Sequence, residues 1–451
     1  MAAVPWTLPG VCGAVLVVGG VLGPGRLLVI LTVAIQVLFF AFFIRHLAFV
    51  MAATRAGSAD LEAPLVDSGF RPPVSVLVAC HNEESVVKGL VRTLLRLDYP
   101  RDRLQIIIVD DGSSDRTGEL LDMAAWRVPQ LRCLHRPPGA GGGKSAALNE
   151  ALELVTGTVV VVFDADHQPR PDVLRRLVRH FEDPGVGAVQ GRCVIRNATG
   201  SLLTELIAID YLAGYLVNEY GRQWMFQLPA YGGANCAVRT ASLRAVGGWN
   251  PRTVTEDTDL TLRLMLAGQR VRYDVTAVDE EEGVTTLRRY WRQRYRWARG
   301  HQQVWRDYRR MVWRSSRLSP GEKIELTMFL LVFHLPVASA LGLVLLLAWQ
   351  SGVISVSSPF DDYTFAFWPL LFLGPLLEHS CGLLLAGAER RRAFALLYFL
   401  PLFFVSVALC TKAWVDGVLG RRYAWVKTPR AKDPPDRVGG ELPARSGRRA
   451  G

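Results

Sequence analysis

Val159-Val160-Val161-Val162-Phe163-Asp164-Ala165-Asp166 runs five apolar residues straight into two carboxylates one residue apart. A run this short, made of β-branched and aromatic residues, reads as a strand buried on both faces, as in a parallel sheet covered by helices. In an extended segment positions i and i+2 share a face, so Asp164 and Asp166 are expected to converge at the strand end. A few hard oxygen donors that leave coordination sites open suit a divalent cation, Mg2+ or Mn2+, held against phosphate and water. Asp-x-Asp also recurs by chance as solvated turn acids; the buried strand before it favours the ligand reading.

Working outward, Leu104–Val109 is a second apolar run and ends in Asp110-Asp111-Gly112-Ser113. Val74–Ala79 and Leu131–His135 are further runs of strand length, and Glu83–Leu97, Arg116–Ala125 and Lys144–Leu154 between them read as helices. Strand–helix alternation predicts an α/β fold with a mostly parallel sheet and helices on both faces. Ligands of such sheets bind beyond the carboxyl ends of the strands, so Asp110, Asp111, Asp164 and Asp166 should face one crevice. An acid at Asp110 or Asp111 can accept from a base or ribose; the alternative is a turn with Ser113 or Ser114 capping the next helix.

Ala140-Gly141-Gly142-Gly143-Lys144-Ser145 is not a P-loop, because Pro138 stands where the first glycine is required. It still places a flexible backbone and the Lys144 cation near a nucleotide. Thr255-Glu256-Asp257 offers a base, Asp257, with Glu256 beside it. The competing reading is a helix start, with Thr255 as cap and the acids in the first turn. Gln293, Arg296 and Trp297 fall at i, i+3 and i+4, on one face of a helix. There an arginine can fork onto a diphosphate and an indole can stack on a sugar ring, unless Trp297 is only an interfacial anchor. One base without a dedicated nucleophile implies a single displacement with inversion at the anomeric carbon. Together the clusters point to sugar transfer from a nucleotide donor.

The surrounding chain is basic and apolar. A formal charge of +11 over 451 residues, half of them hydrophobic, fits arginine-rich flanks of membrane helices. Nucleic acid is not an expected partner, since no zinc-finger spacing or RNA-binding aromatic motif accompanies the arginines. The seven cysteines form no CxxC pair, so neither a disulfide framework nor a zinc site is expected. Residues 4–22 and 27–44 are expected to cross the bilayer, with Arg45 and Arg55 on the cytoplasmic side. The start lacks a basic n-region, which argues against a cleaved signal peptide. Residues 284–318 read as an interfacial basic and aromatic helix. Residues 324–349 and 368–388 read as crossings. Residues 393–417 are either bent at Pro401 and partly re-entrant or a third crossing that places the arginine-rich tail outside. From Ala431 the composition predicts disorder.

These four ordered motifs resemble those of membrane-integrated family-2 glycosyltransferases, the branch that holds poly-N-acetylglucosamine, chitin, cellulose and hyaluronan synthases. The resemblance covers roughly residues 74–305 and implies a GT-A-like nucleotide-sugar-binding domain. On it, Ala79-Cys80-His81-Asn82-Glu83 opens the nucleotide pocket, with Asn82 and Glu83 as binding residues, although His81 stands where the family usually has an aromatic. Asp111 or Asp110 contacts the nucleoside, and Asp164 and Asp166 hold nucleotide and metal. Asp257 is the general base, and Gln293, Arg296 and Trp297 bind diphosphate and acceptor sugar. Tyr231–Cys236 corresponds loosely to the acceptor loop, and Trp425-Val426-Lys427-Thr428 to a gating segment.

The expected organisation is membrane helices over 1–55, a cytoplasmic transferase domain over 56–283, interfacial helices over 284–323, a membrane region over 324–420 and a basic tail over 421–451. The leading expectation is a processive, inverting synthase of the cell membrane. It would extend a β-linked polysaccharide from UDP-N-acetylglucosamine and couple synthesis to export, with or without an accessory membrane subunit. The alternatives are a single addition to a lipid or lipid-linked acceptor, and a non-catalytic membrane binding protein of the same fold.

Overall fold

The computed structural model describes residues 24–57, 61, 63–66, 68–230, 232–352 and 364–421. The apolar run at 159–164 is a central strand. Eight strands, β1 Val74–Cys80, β2 Leu104–Asp111, β3 Leu131–Arg136, β4 Val159–Asp164, β5 Gln168–Pro169, β6 Val186–Ile195, β7 Cys236–Arg239 and β8 Arg270–Glu281, form one sheet in the order β3-β2-β1-β4-β7-β6-β8-β5. The first four are parallel, as their sequence predicts. From β7 onward the sheet is mixed: β7 runs antiparallel to β4 and β6, while β6 and β8 are parallel. The sheet is thus parallel over β3-β2-β1-β4 and mixed beyond β4.

Helices packed with the sheet are α2 Val87–Leu94, α3 Thr117–Arg127, α4 Gly143–Leu152, α5 Val173–Val178, α6 Leu202–Ala213, α7 Tyr220–Phe226, α8 Thr240–Ala245 and α9 Glu256–Leu266, following the N-terminal α1 Pro24–Ala56. A π-helical segment, Gly214–Glu219, joins α6 to α7. Side chains alternate along each strand, and both faces are buried. Val76, Val78, Ile106 and Ile108 pack with Leu90 of α2 and Leu174 of α5. Leu77, Ile107 and Val109 pack with Leu148 of α4 and Leu260 of α9 on the other face. Full burial of each such side chain is worth about 1.5–3 kcal/mol, which is why runs of Val and Ile specify this sheet so firmly.

A 28-residue helix, α10 Leu287–Arg314, follows the sheet, then α11 Pro320–Leu331, α12 Leu335–Gln350, α13 Thr364–Leu385 and α14 Phe399–Val418. Gly25–Arg55 and Arg390–Val418 are each long and apolar enough to cross a membrane. The pair α11 and α12 would make a third span, but it is bent by 66°. The expected straight crossing over 324–349 is therefore broken at residues 332–334. Pro401 does not bend its helix; it sits in the first turn of α14, where its missing N–H has no partner to lose. The first apolar run does not end at Arg45-His46 either. The helix continues to Ala56, and buried Arg45 meets Glu325 of α11 at 2.7 Å. Residues 4–22 and the tail from 422 lie outside the described residues. No disulfide joins the described cysteines.

Candidate active site

Strand register builds the site. Ala79 of β1 is level with Val109 of β2 and Asp164 of β4, so the carboxyl ends of three parallel strands deliver residues 80–83, 110–113 and 164–167 to one edge. Because β7 is antiparallel to β4, with Val162 opposite Cys236, the loop before β7 arrives at the same edge. A cavity of about 1210 Å³ opens there. It is lined by Glu83, Asp111, Lys144, Asp164, Asp166, Glu256, Asp257, Gln293, Arg296 and Trp297, which brings ten of the twelve residues singled out from the sequence into one space.

Asn82 and Asp110 are not among the lining residues. Successive residues of a strand point to opposite faces, so Asp111 faces the cavity and Asp110 turns away. Asp110 accepts from the Ser113 backbone N–H at 3.1 Å and meets His135 Nδ1 at 3.1 Å. Asn82 adopts a left-handed φ of 54° and accepts from the Ser114 N–H at 2.7 Å. Both shape the loops rather than line the crevice. Ser113 and Ser114 do not cap α3, whose N-cap is Arg116.

Asp164 ends β4, whereas Asp166 lies in a turn closed by a 3.1 Å bond from His167 N–H to the Asp164 carbonyl. The two carboxylates reach the cavity through that turn, not through an extended segment. Lys144, in the first turn of α4, donates to Asp164 Oδ1 at 2.6 Å and to the Gly233 carbonyl at 2.9 Å, and stands 3.9 Å from Glu256 Oε1. Burial pulls the Lys144 pKa down, but attraction to Asp164 and Glu256 outweighs it and the ammonium is held above its ordinary value.

Glu256 and Asp257 occupy the first turn of α9. Thr255 is the N-cap residue, yet its side chain makes no capping bond; its methyl and hydroxyl pack against Gly300 of α10 instead. Any Cβ at position 300 would collide with Thr255, so glycine there lets α10 lie directly on the acids. Gly233 plays the same part from the other side, with φ +75° and space only for a hydrogen where a Cβ would stand 3.0 Å from Asp257 Oδ2. Burial, then the neighbouring Glu256 carboxylate, push Asp257 up to about 6; the Thr258 N–H, Lys144 and Arg296 pull the other way. In α10, Arg294 stacks on the Trp297 ring at 4.6 Å and pairs with Asp210 of α6.

Three stations escape a motif reading. Arg136, buried at the end of β3, pairs with Asp111, donates to Glu150 at 2.8 Å and holds the Gly141 carbonyl at 2.9 Å, so it ties the glycine loop to the carboxyl end of β2. His167 is buried directly after the Asp-x-Asp, between Asp279 and Glu281 of β8, and its Nε2 is 3.0 Å from Glu281. Burial opposes its charge, but those two carboxylates keep it well above the ordinary histidine value. His301, one turn beyond Trp297, reaches Thr258 Oγ1 at 3.3 Å. Adjacency to the motifs was the only available signal for His167 and His301. Tyr231 of the acceptor loop and the segment 425–428 lie outside the described residues.

Asp164 and Asp166 offer to the cavity the carboxylate oxygens that suit a hard divalent cation, with Glu281 and Glu282 also among the lining residues.

The chain matches the family model described as "Glycosyltransferase like family 2" over residues 72–300, just over half of its length. It is 40% identical over 282 residues to a beta-monoglucosyldiacylglycerol synthase of Synechocystis sp., a match covering 62% of this chain and 58% of that protein. It is 28% identical over 295 residues to the poly-beta-1,6-N-acetyl-D-glucosamine synthase of Staphylococcus epidermidis, covering 65% of this chain and 67% of that one. The chain spans less than two thirds of the length of the first of these relatives. A mannosyltransferase from Pyrobaculum calidifontis, solved with GDP-mannose and Mn2+, shares the fold at a TM-score of 0.59 with 23% identity, over 86% of this chain and all of that one. Matched over residues 72–300, more than half of its length, and with the acids of that stretch meeting in one cavity, the chain belongs to the glycosyltransferase-like family 2.

Proposed function

We propose that this chain transfers a single hexose, with inversion, from a nucleoside-diphosphate sugar to the hydroxyl of a glycerolipid at a membrane face. One observation carries this reading. The cavity that begins at His81 and Asp111 continues past Asp257 and Trp297 to Phe329, Val332 and Phe333, at the break between α11 and α12. Beyond the base, Phe329, Val332 and Phe333 of membrane-type helices give the cavity an apolar face, set beside the polar groups of Arg222, His301 and Glu378. An acceptor with a polar head and an apolar body fits such a wall better than a fully hydroxylated chain does. The 40% identity to a glycolipid synthase supports the same order of preference.

Asp257 is the base. Its carboxylate takes the proton of the acceptor hydroxyl as that oxygen bonds to the anomeric carbon; the bond from that carbon to the diphosphate oxygen breaks, and the nucleoside diphosphate leaves. Asp111 and Glu83 bind the nucleoside end. Lys144 and Arg296 place positive charge beside the leaving phosphates. Gln293 and Trp297 hold the sugar. Asp164 and Asp166 would hold Mg2+ or Mn2+, which when bound neutralises the charge that develops on the diphosphate.

A processive polysaccharide synthase is the second reading. Gln293, Arg296 and Trp297 facing the cavity together, and the similarity to the poly-N-acetylglucosamine synthase, favour it. Product size separates the two. Membranes containing the protein are supplied with Mn2+, dioleoylglycerol and radiolabelled UDP-glucose, UDP-N-acetylglucosamine or GDP-mannose in turn, and products are resolved by thin-layer and size-exclusion chromatography. A lipid carrying one sugar is expected. Label appearing only in polymer would replace this reading with the second.

A further inference from the structure

The far end of the cavity holds a buried cation that the transfer chemistry does not use. Arg222, on α7, is only 5% exposed, and it lines the cavity. One of its terminal nitrogens pairs with Glu219, while its Nε and Nη1 have no hydrogen-bond partner in the protein. Its guanidinium carbon lies 4.2 Å over the ring of Phe329. Stacking of this kind fixes the plane of the fork and leaves its edge N–H groups to point sideways. Buried donors of a charged group left without an acceptor are costly, so two of them on one cavity wall mark a place where a ligand oxygen belongs.

The surroundings say which oxygen. Phe329 is also met by the ring of His301 at 5.5 Å, and His301 lies 4.7 Å from Phe333. His301 reaches Thr258, whose backbone N–H donates to Asp257 Oδ1 at 2.6 Å, so this pocket directly adjoins the base. Burial, then Arg222, hold His301 down to about 3, and the imidazole is neutral. Its Nδ1 has no protein partner. Glu219 already balances Arg222, and Glu378 stands on the same wall. A phosphate would therefore meet negative charge here, whereas a neutral carbonyl oxygen would meet donors and two aromatic rings.

We infer that Arg222, seated on Phe329 beside His301, forms the acceptor headgroup subsite and donates to the ester carbonyl oxygens of a diacylglycerol. This rests on the glycerolipid reading above and adds to it the group that is recognised. Acyl chains would leave toward the break at Val332 and Phe333, where Gln302 Nε2 donates to the Phe333 carbonyl at 3.1 Å.

The test compares dioleoylglycerol with its dioleyl ether analogue, which keeps the hydroxyl and the chains but lacks both carbonyls, in nanodiscs holding the full chain. A hydrogen bond to a charged donor is worth about 1.5–3 kcal/mol, or roughly tenfold to a hundredfold. Wild-type protein is expected to prefer the ester by at least about tenfold in kcat/KM. Arg222→Lys, which keeps the charge for Glu219 but loses the fork, should abolish that preference and raise KM for the ester lipid about tenfold, with KM for the nucleotide sugar unchanged. An equal preference in Arg222→Lys and wild type would overturn the subsite. If Arg222→Lys does not fold, as judged by thermal unfolding, wild type alone decides, and indifference between ester and ether lipid sinks the inference. Wild type glycosylating neither lipid would instead remove the glycerolipid reading beneath it.

Discussion

Lys144 Nζ lies 2.6 Å from Asp164 Oδ1 and at the same time 2.9 Å from the Gly233 carbonyl, so one ammonium joins the acid that ends β4 to the loop that backs Asp257. The side chain is partly shielded from solvent, and its removal takes a charged donor away from both oxygens. Lys144→Met is expected to lower kcat/KM by about a hundredfold, in keeping with loss of a charge-assisted bond. Donor titrations should show the loss mostly as weaker nucleotide-sugar binding. A variant with wild-type donor affinity would remove Lys144 from the donor site.

Asp257 supplies a pH signature. As the base it must be ionised, so kcat/KM should rise with pH through an apparent pKa of about 6. Glu256→Gln removes the neighbouring charge that helps raise Asp257, and should shift this acidic limb to lower pH. Asp257→Asn should cut turnover by about 10²- to 10⁴-fold while donor binding persists. An unchanged limb in Glu256→Gln would show that another group sets it.

The same shift bears on stability, with a definite sign. The folded pKa of about 6 lies above the ordinary 3.8, so between those values the folded state binds a proton that the unfolded state releases. The Asp257 contribution therefore becomes less favourable as pH rises through that window. Asp257→Asn is expected to unfold at a higher temperature than wild type at pH 7.5, with the difference vanishing below about pH 4. Equal melting temperatures at pH 7.5 would contradict the raised value.

The metal-holding role proposed for Asp164 and Asp166 predicts metal dependence. Chelation by EDTA should abolish transfer, and Mn2+ or Mg2+ should restore it. Asp164→Asn and Asp166→Asn should each raise the Mn2+ concentration needed for half-maximal activity by about tenfold or more. Full activity in metal-free buffer would contradict this assignment.

Arg45 and Glu325 join α1 to α11 through two bonds, at 2.7 and 2.9 Å, with both side chains almost fully buried. Removing one partner strands the other charge, so Arg45→Met alone should destabilise by about 3–5 kcal/mol. The pair Arg45→Met with Glu325→Met should be markedly less harmful, because neither charge is left behind. Thermal unfolding in detergent reads both. A double variant no better than the single would show that the two residues act independently.

Much of the fold is legible locally. The apolar runs at 74, 104 and 159 become β1, β2 and β4, since burial on both faces requires nearly unbroken apolar residues, and Leu131–His135 becomes the half-exposed edge strand β3. The later strands were harder to read. β7 has four residues, and the core positions of β8 include Asp274 and Asp279, whose partners His180, Arg179 and His167 come from distant segments. Of the site, Asp111, Asp164, Asp166, Asp257 and Trp297 were visible because each ends a strand or starts or shares a helix face. Arg136 and Arg222 were not, because nothing near them in the chain marks them, and His301 had only its place one turn beyond Trp297 to mark it. Arg222 looks like any helical arginine until Phe329, more than a hundred residues later, closes over it.

By itself the chain determined the parallel half of the sheet, the order of its acidic stations and the presence of apolar helices, because these depend on residue type at short spacing. Only the tertiary structure decided that Asp111 and not Asp110 faces the crevice, that the helix pair after α10 bends by 66°, and that the cavity runs from the nucleotide end to that bend. The physical reason is that a side chain's direction and its burial are set by what packs against it, and here those partners are far apart in sequence.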